Sequence, residues 1–218
     1  MGRSHVRSAR LLASAGAVAL AMAAAGCATT PSSPDVTGSI ATDNAPRTSA
    51  EWRREMDVWG GRYRANPSDS QAAIRYAQAL RAIGQRAQAT AVLEQATISN
   101  PHDPPLLGAY GRALADNGNY EQALEVLNRA HSPDRPDWRI LSVQGAALDQ
   151  LGRHAEAQRY YASALRLVPH EPSVLSNLGL SYALSKHLPQ AESTLRQAAQ
   201  QKPADSKIRQ NLALVVGL

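Results

Sequence analysis

The chain has 218 residues, with 23 Lys and Arg, 18 Asp and Glu, six His and a single Cys, for a formal net charge of +5. One cysteine excludes an internal disulfide. Three of the cations are Arg3, Arg7 and Arg10, and beyond them 20 basic residues face 18 acidic ones, too even a balance for the basic stripe that a nucleic-acid partner requires.

Residues 1–26 read as a secretory leader. A basic start without acids precedes a 15-residue apolar run, Leu11 to Ala25, too short to span a bilayer stably. The stretch Ala24-Ala25-Gly26-Cys27 resembles the bacterial lipoprotein signal, with Ala24 where leucine is usual. That resemblance implies that Cys27 is acylated, palmitate included, and becomes the first mature residue. Three chains at ~0.8 kcal/mol per buried methylene anchor a protein stably. Ala28 stands where aspartate would favour inner-membrane retention, so the implied address is the periplasmic face of the outer membrane. An ordinary cleaved leader with an incidental thiol is the other reading.

Residues 27–48 form the lipid anchor and a tether. Thr, Ser, Pro, Ala, Asp and Gly dominate, a composition that cannot bury a core and predicts disorder. The root-mean-square span of such a segment is ~25 Å.

Residues 49–218 carry one dominant pattern. A cap helix is expected over 50–65, with Trp52, Met56, Trp59 and Tyr63, standing where the second helix of an earlier unit would be. From there residues return at a fixed step of 34: Ala89, Ala123, Ala157 and Ala191, then Ala96, Ala130, Ala164 and Ala198. Gly84, Gly118 and Gly152 keep the same step, as do Gly111, Gly145 and Gly179, and Pro67, Pro101, Pro169 and Pro203 mark joints. Within one period, Ala73, Tyr76, Ala77 and Leu80 fall at helical spacing, and Gly84 ends that helix. Ala89, Leu93 and Ala96 make a second stripe that Asn100 and Pro101 stop. The period is therefore a helical hairpin, repeated at 70–103, 104–137, 138–171 and 172–205. Gly111, Gly145 and Gly179 are expected to face Ala123, Ala157 and Ala191 across each hairpin, where a larger residue would overpack. Residues 206–218 match a first helix without its partner, with Leu212, Ala213 and Val216 on core positions. Its apolar end suggests a fifth repeat cut short, or a partner that covers it.

The pattern resembles the tetratricopeptide repeat. One unit reads Leu107, Tyr110, Gly111, Leu114, Ala123, Leu127 and Ala130; another reads Leu175, Leu178, Gly179, Tyr182, Ala191, Leu195, Ala198 and Pro203. Departures are Gln144 at a core position, Lys186 at a turn glycine, and Arg135 where proline is usual, with Pro136 just after. The resemblance implies an all-α, right-handed superhelical solenoid of helix-turn-helix repeats.

Nothing in the sequence points to catalysis. It holds no Gly-x-Ser-x-Gly elbow, no phosphate loop and no His-Glu-x-x-His. The histidines, His102, His131, His154, His170 and His187 beyond the leader, fall at turns or helix edges, and none are spaced i, i+4. Solvated side chains rather than metal ligands are expected, with no cofactor and no small-molecule substrate. In the repeat family, positions 2, 5, 9 and 12 of each unit point into the groove of first helices. Here these include Gln71, Ile74, Gln78, Arg81, Arg112, Arg139, Ser142, Asp149, Ser176 and Leu180, with Asn177 beside them. Such a lining suits an extended peptide or a helix. One variant of the family clamps a peptide carboxylate with lysines and asparagines. Asn177 and Lys207 match it, but Ser142, Ala146 and Asn211 do not, so that clamp is incomplete.

A lipoprotein signal, a polar tether and this array together resemble the TadD-like assembly lipoproteins of tight-adherence (Flp-type IVb) pilus systems. The stretches at 75–89, 136–146 and 172–185 carry the likeness. It implies a non-enzymatic scaffold whose partners belong to the pilus or secretion apparatus, the secretin among them. A lipoprotein scaffold for outer-membrane protein insertion or cell-wall enzymes is the competing class.

Overall fold

In the computed structural model, residues 48–132, 134–201 and 206–217 are described, and they form ten α-helices. The expected leader, Cys27, the tether up to residue 47 and Pro203 lie outside these residues. The helices are α1 (Ser49–Ala65), α2 (Ser70–Ala82), α3 (Arg86–Ser99), α4 (Pro104–Asp116) and α5 (Tyr120–Ala130). They continue as α6 (Trp138–Gln150), α7 (His154–Leu167), α8 (Pro172–Leu184), α9 (Leu188–Gln200) and α10 (Ser206–Val216). The pairs α2–α3, α4–α5, α6–α7 and α8–α9 are the four helical hairpins, and among the described residues the one β-type contact is an isolated bridge, Ser132 to Arg135.

Each first helix starts on an acid. Asp69, Asp103, Asp137 and Glu171 stand at the same step as the alanines, and each carboxylate accepts from a backbone N–H two or three residues on. Such a cap contributes about 1 kcal/mol and complements the helix dipole. Second helices start without a side-chain cap. Their entry is set by the preceding turn, in which Gln85, Asn119, Arg153 and His187 donate back to Leu80, Leu114, Leu148 and Tyr182. This turn needs a left-handed residue just before the donor. Glycine supplies it three times, and Lys186 adopts it at φ 65°.

Thr48, which composition assigns to the tether, is the N-cap of α1. It forms a reciprocal capping box with Glu51, so the helix begins before residue 50.

The glycines of the first helices do not chiefly face the alanines. A Cβ on Gly111, Gly145 or Gly179 would fall within 2.5 or 2.6 Å of the side chains of Leu127, Tyr161 and Leu195. The alanine contact is secondary: the carbonyls of Ala123 and Ala191 stand at 3.4 and 3.3 Å. The glycine makes room for the large residue sixteen positions on, and the alanine lets the backbones approach. Gly60 and Tyr76 repeat the same spacing and the same contact, at 2.9 Å. Helix α1 thus docks on α2 in the register of a hairpin partner, with Met56, Trp59 and Tyr63 packed on the core.

At the other end, α10 buries Ile208 and Val215 against α8 and α9. Ala213 and Val216, expected in the core, are exposed, Val216 by 57 %. In the complete hairpins those positions face the second helix; in α10 the buried positions are those that face the preceding repeat.

Two of the departures from the repeat pattern, Gln144 and the proline displaced to 136, meet at one place. Helix α5 has 11 residues where α3 and α7 have 14. The turn it lacks becomes a long connection, 131–137, between the second and third hairpins. Gln144 is fully buried beneath it, donating to Asn128 Oδ1 at 2.8 Å and standing 3.2 Å from His131 Nε2. A buried amide is tolerated because both of its ends are hydrogen-bonded.

A candidate protein-binding cleft on the first helices

The first helices carry a cleft of about 1290 Å³, walled at one side by His131, Ser132, Arg135 and Asp137 between the second and third hairpins. Gln71, Ile74, Gln78 and Arg81 line it from α2, Arg112 from α4, Arg139 and Ser142 from α6, and Asn177 from α8. Of the groove residues expected from sequence, Asp149, Ser176 and Leu180 lie outside it.

Asp149 is buried for a physical reason. Its carboxylate accepts from Ser181 Oγ at 2.7 Å and Tyr161 Oη at 3.0 Å, and His154 Nδ1 lies 2.8 Å away. Three helices, α6, α7 and α8, are tied to one side chain. Burial, and then the Asp149 charge, hold the Tyr161 hydroxyl well above the ordinary tyrosine range. His154 is therefore part of this network, and His131 part of the Gln144 network, rather than the solvated groups that turn positions suggest. Ser176 is likewise buried and accepts from Asn211 Nδ2 at 3.1 Å, as Ser142 accepts from Asn177 Nδ2 at 3.3 Å. These two bonds join successive first helices and fix their spacing.

The electrostatics of the cleft are uneven. Arg81 pairs with Asp116 across the first two hairpins. Arg139 stacks its guanidinium 4.5 Å from the centre of the Trp138 ring. Arg129 donates to the Pro101 carbonyl at 2.9 Å. Arg112 is half-buried, and among the described residues its side chain makes no hydrogen bond or ion pair. Burial, then Arg81, push its pKa below the ordinary arginine value, with Arg139 adding to the fall and Asp116 and Asp137 opposing it. It keeps its charge at neutral pH all the same. Arg129, His131, Ser132 and Arg135 also line the cleft. They were not expected there, because the position rule covers first helices and these residues sit at the end of α5 and on the long connection.

No group of three or more His, Cys, Asp or Glu is placed to hold a metal among the described residues, and no described helix is long and apolar enough to cross a membrane.

With that geometry in hand, comparisons place the chain among known proteins. A tetratricopeptide repeat family model matches residues 84–146 and 150–214, more than half of the chain, and a second matches residues 138–159. No curated protein matches. The structure is similar to that of a thermophilic tetratricopeptide protein from Thermus thermophilus, at 21 % identity and a TM-score of 0.67, over 78 % of this chain and 92 % of that one. It is similar to PilW, described as a widely conserved type IV pilus biogenesis factor, at 16 % identity and a TM-score of 0.66, over 77 % and 80 %. It is also similar to MamA from Desulfovibrio magneticus, at 20 % identity and a TM-score of 0.55, over 67 % and 82 %. At these identities the likeness shows the fold: a solenoid of helical hairpins. Repeats of this kind indicate a scaffold for protein–protein interaction.

Proposed function

The chain belongs to the tetratricopeptide repeat family, and on that premise we propose that it is a non-enzymatic, lipid-anchored scaffold of the bacterial outer membrane that assists assembly of a tight-adherence pilus and its secretin. The observation that carries the scaffold role is the open cleft across the first helices of four successive hairpins, with exposed polar and cationic side chains among its lining. A cleft of this length suits an extended segment of another protein better than a compact metabolite. The similarity to a pilus biogenesis factor supports the pilus setting, and the lipoprotein-like signal at Cys27 supports the address. Catalysis has no role in this reading: the buried carboxylate, tyrosine and histidine of the Asp149 network are engaged in holding helices together.

The test uses the chain in its own envelope. The wild-type protein fractionates with the outer membrane, and Cys27→Ser releases it to the periplasm with the helical array intact. Crosslinking the wild type in the envelope yields a pilus or secretin component. Unchanged membrane fractionation of C27S defeats the anchor. Crosslinks confined to barrel-assembly or cell-wall components defeat the pilus assignment in favour of the competing class of scaffold.

A further inference from the structure

We infer that the cleft reads an internal, extended acidic segment of its protein partner, with Arg112 as the central carboxylate seat and Arg81 and Arg139 as flanking ones. This deepens the scaffold reading and rests on it.

Three observations carry the inference. The cleft lining holds five arginines, Arg81, Arg112, Arg129, Arg135 and Arg139, against two aspartates, Asp116 and Asp137. Both aspartates have tasks within the fold: Asp116 pairs with Arg81, and Asp137 caps α6. The surplus is therefore cationic and faces the open space.

The second observation is Arg112 itself. A guanidinium that is half-buried, close to two other arginines and hydrogen-bonded to no anion is costly to hold in place. Burial, then Arg81 and Arg139, disfavour its charged form, and the charges of Asp116 and Asp137 offset only part of this. A carboxylate entering the cleft meets a planar fork of donors already desolvated, the arrangement in which such pairs are strongest.

The third observation is placement. Arg81, Arg112 and Arg139 fall at positions 12, 9 and 2 of their repeats, one on each successive first helix. They make a diagonal across the cleft rather than a cluster at one end. Neighbouring helices lie ~8–10 Å apart, and an extended segment in the polyproline II form returns to the same face every three residues, ~9 Å along. Such a segment crossing the helices brings every third side chain to a new first helix. A chain terminus would bring one carboxylate to one place, which is why an internal segment is the fitting occupant.

The experiment uses the purified full chain and fluorescent peptides read by anisotropy. One peptide is extended and capped at both ends, with glutamate at every third position; its counterpart carries glutamine. The glutamate peptide is expected to bind about tenfold tighter or more, as charge-assisted pairs would give, and to weaken as salt rises. Arg112→Gln removes about tenfold of that affinity, while Arg196→Gln, on α9 and paired with Glu192, leaves it unchanged. Arg139→Gln is the second variant, at an exposed position, and it lowers affinity as well. Equal binding of the two peptides overturns the inference. So does binding that requires a free C-terminal carboxylate, which would mark an end clamp. A single-stranded oligonucleotide that binds with the same dependence on Arg112 also overturns it, as that marks a general polyanion site. The peptide arm needs no envelope, so its failure leaves the scaffold assignment standing, and a failure of envelope crosslinking leaves the peptide result readable.

Discussion

Gly145→Ala is the substitution whose consequence the structure sets most tightly. In a bare helix this change is favourable by up to ~1 kcal/mol, because glycine is the poorer helix former. Here the new methyl would stand 2.6 Å from Tyr161 Cε1, 2.8 Å from Cζ and 2.9 Å from Cδ1. The ring must retreat by nearly an ångström. It has nowhere to go: Tyr161 is 1 % exposed and its hydroxyl is held by Asp149 at 3.0 Å. Overpacking costs ~1–3 kcal/mol, and a strained or broken buried hydrogen bond adds about 1 kcal/mol. Net of the propensity gain, a loss of about 2 kcal/mol is expected, or ~4–8 °C in Tm for an array of this size. The assay is thermal and urea unfolding followed by circular dichroism, with Gly61→Ala as the control. Gly61 is on helix α1 with nothing within 4 Å of its would-be Cβ, so that variant should be stabilised by a few tenths of a kcal/mol or more. If both variants shift in the same direction, close packing at the small positions is not what holds the hairpins.

Three further outcomes are expected. Asp149→Asn leaves at least one of the donors from Tyr161, Ser181 and His154 without an acceptor, and unfolding should show a loss of ~1–3 kcal/mol; an unaffected stability would remove the network from the account. Lys186→Gly relieves a left-handed residue at φ 65° and should stabilise by up to ~1 kcal/mol, less what glycine gives to the unfolded chain; a lower Tm contradicts the turn argument. Burial raises the pKa of Tyr161, Tyr63 and Tyr110 above the ordinary 10.0. Their raised folded values mean that the unfolded chain loses those protons first. This stability is therefore complete below pH 10 and falls as pH rises beyond it. Alkaline unfolding monitored by phenolate absorbance should show it, and Tyr161→Phe should flatten the decline; a pH-independent stability up to alkaline unfolding would refute it.

The hairpins were legible because each is a local event written at one period. Two helices, a turn glycine and a small position need only 34 residues, and their repetition multiplies the signal. The acidic N-caps at 69, 103, 137 and 171 share that period and were equally readable. What the sequence did not reveal is what depends on neighbours in space. The glycines answer to Leu127, Tyr161 and Leu195 rather than to the alanines, since the close approach is decided by the side chain that reaches across. Asp149 occupies a groove-type position, yet Ser181 and Tyr161, 32 and 12 residues away, take its carboxylate into the core. The cleft's wall comes from the 131–137 connection, whose course follows from α5 ending early above a buried Gln144. The displaced proline at 136 was the visible trace of that change. The face of α10 that stays exposed follows from which helix it packs against, and a register count alone assigns it to the core.

The central claim is that the cleft of the first helices is where a partner protein is held. The direct test is site-specific photocrosslinking in the native envelope, with the probe placed at Val143 inside the cleft or at Ile98, which is 70 % exposed and outside it. The account predicts an adduct with a component of the pilus or secretion apparatus from position 143, lost when Arg112 is replaced by Gln, and no such adduct from position 98. Adducts from position 98 alone would contradict it.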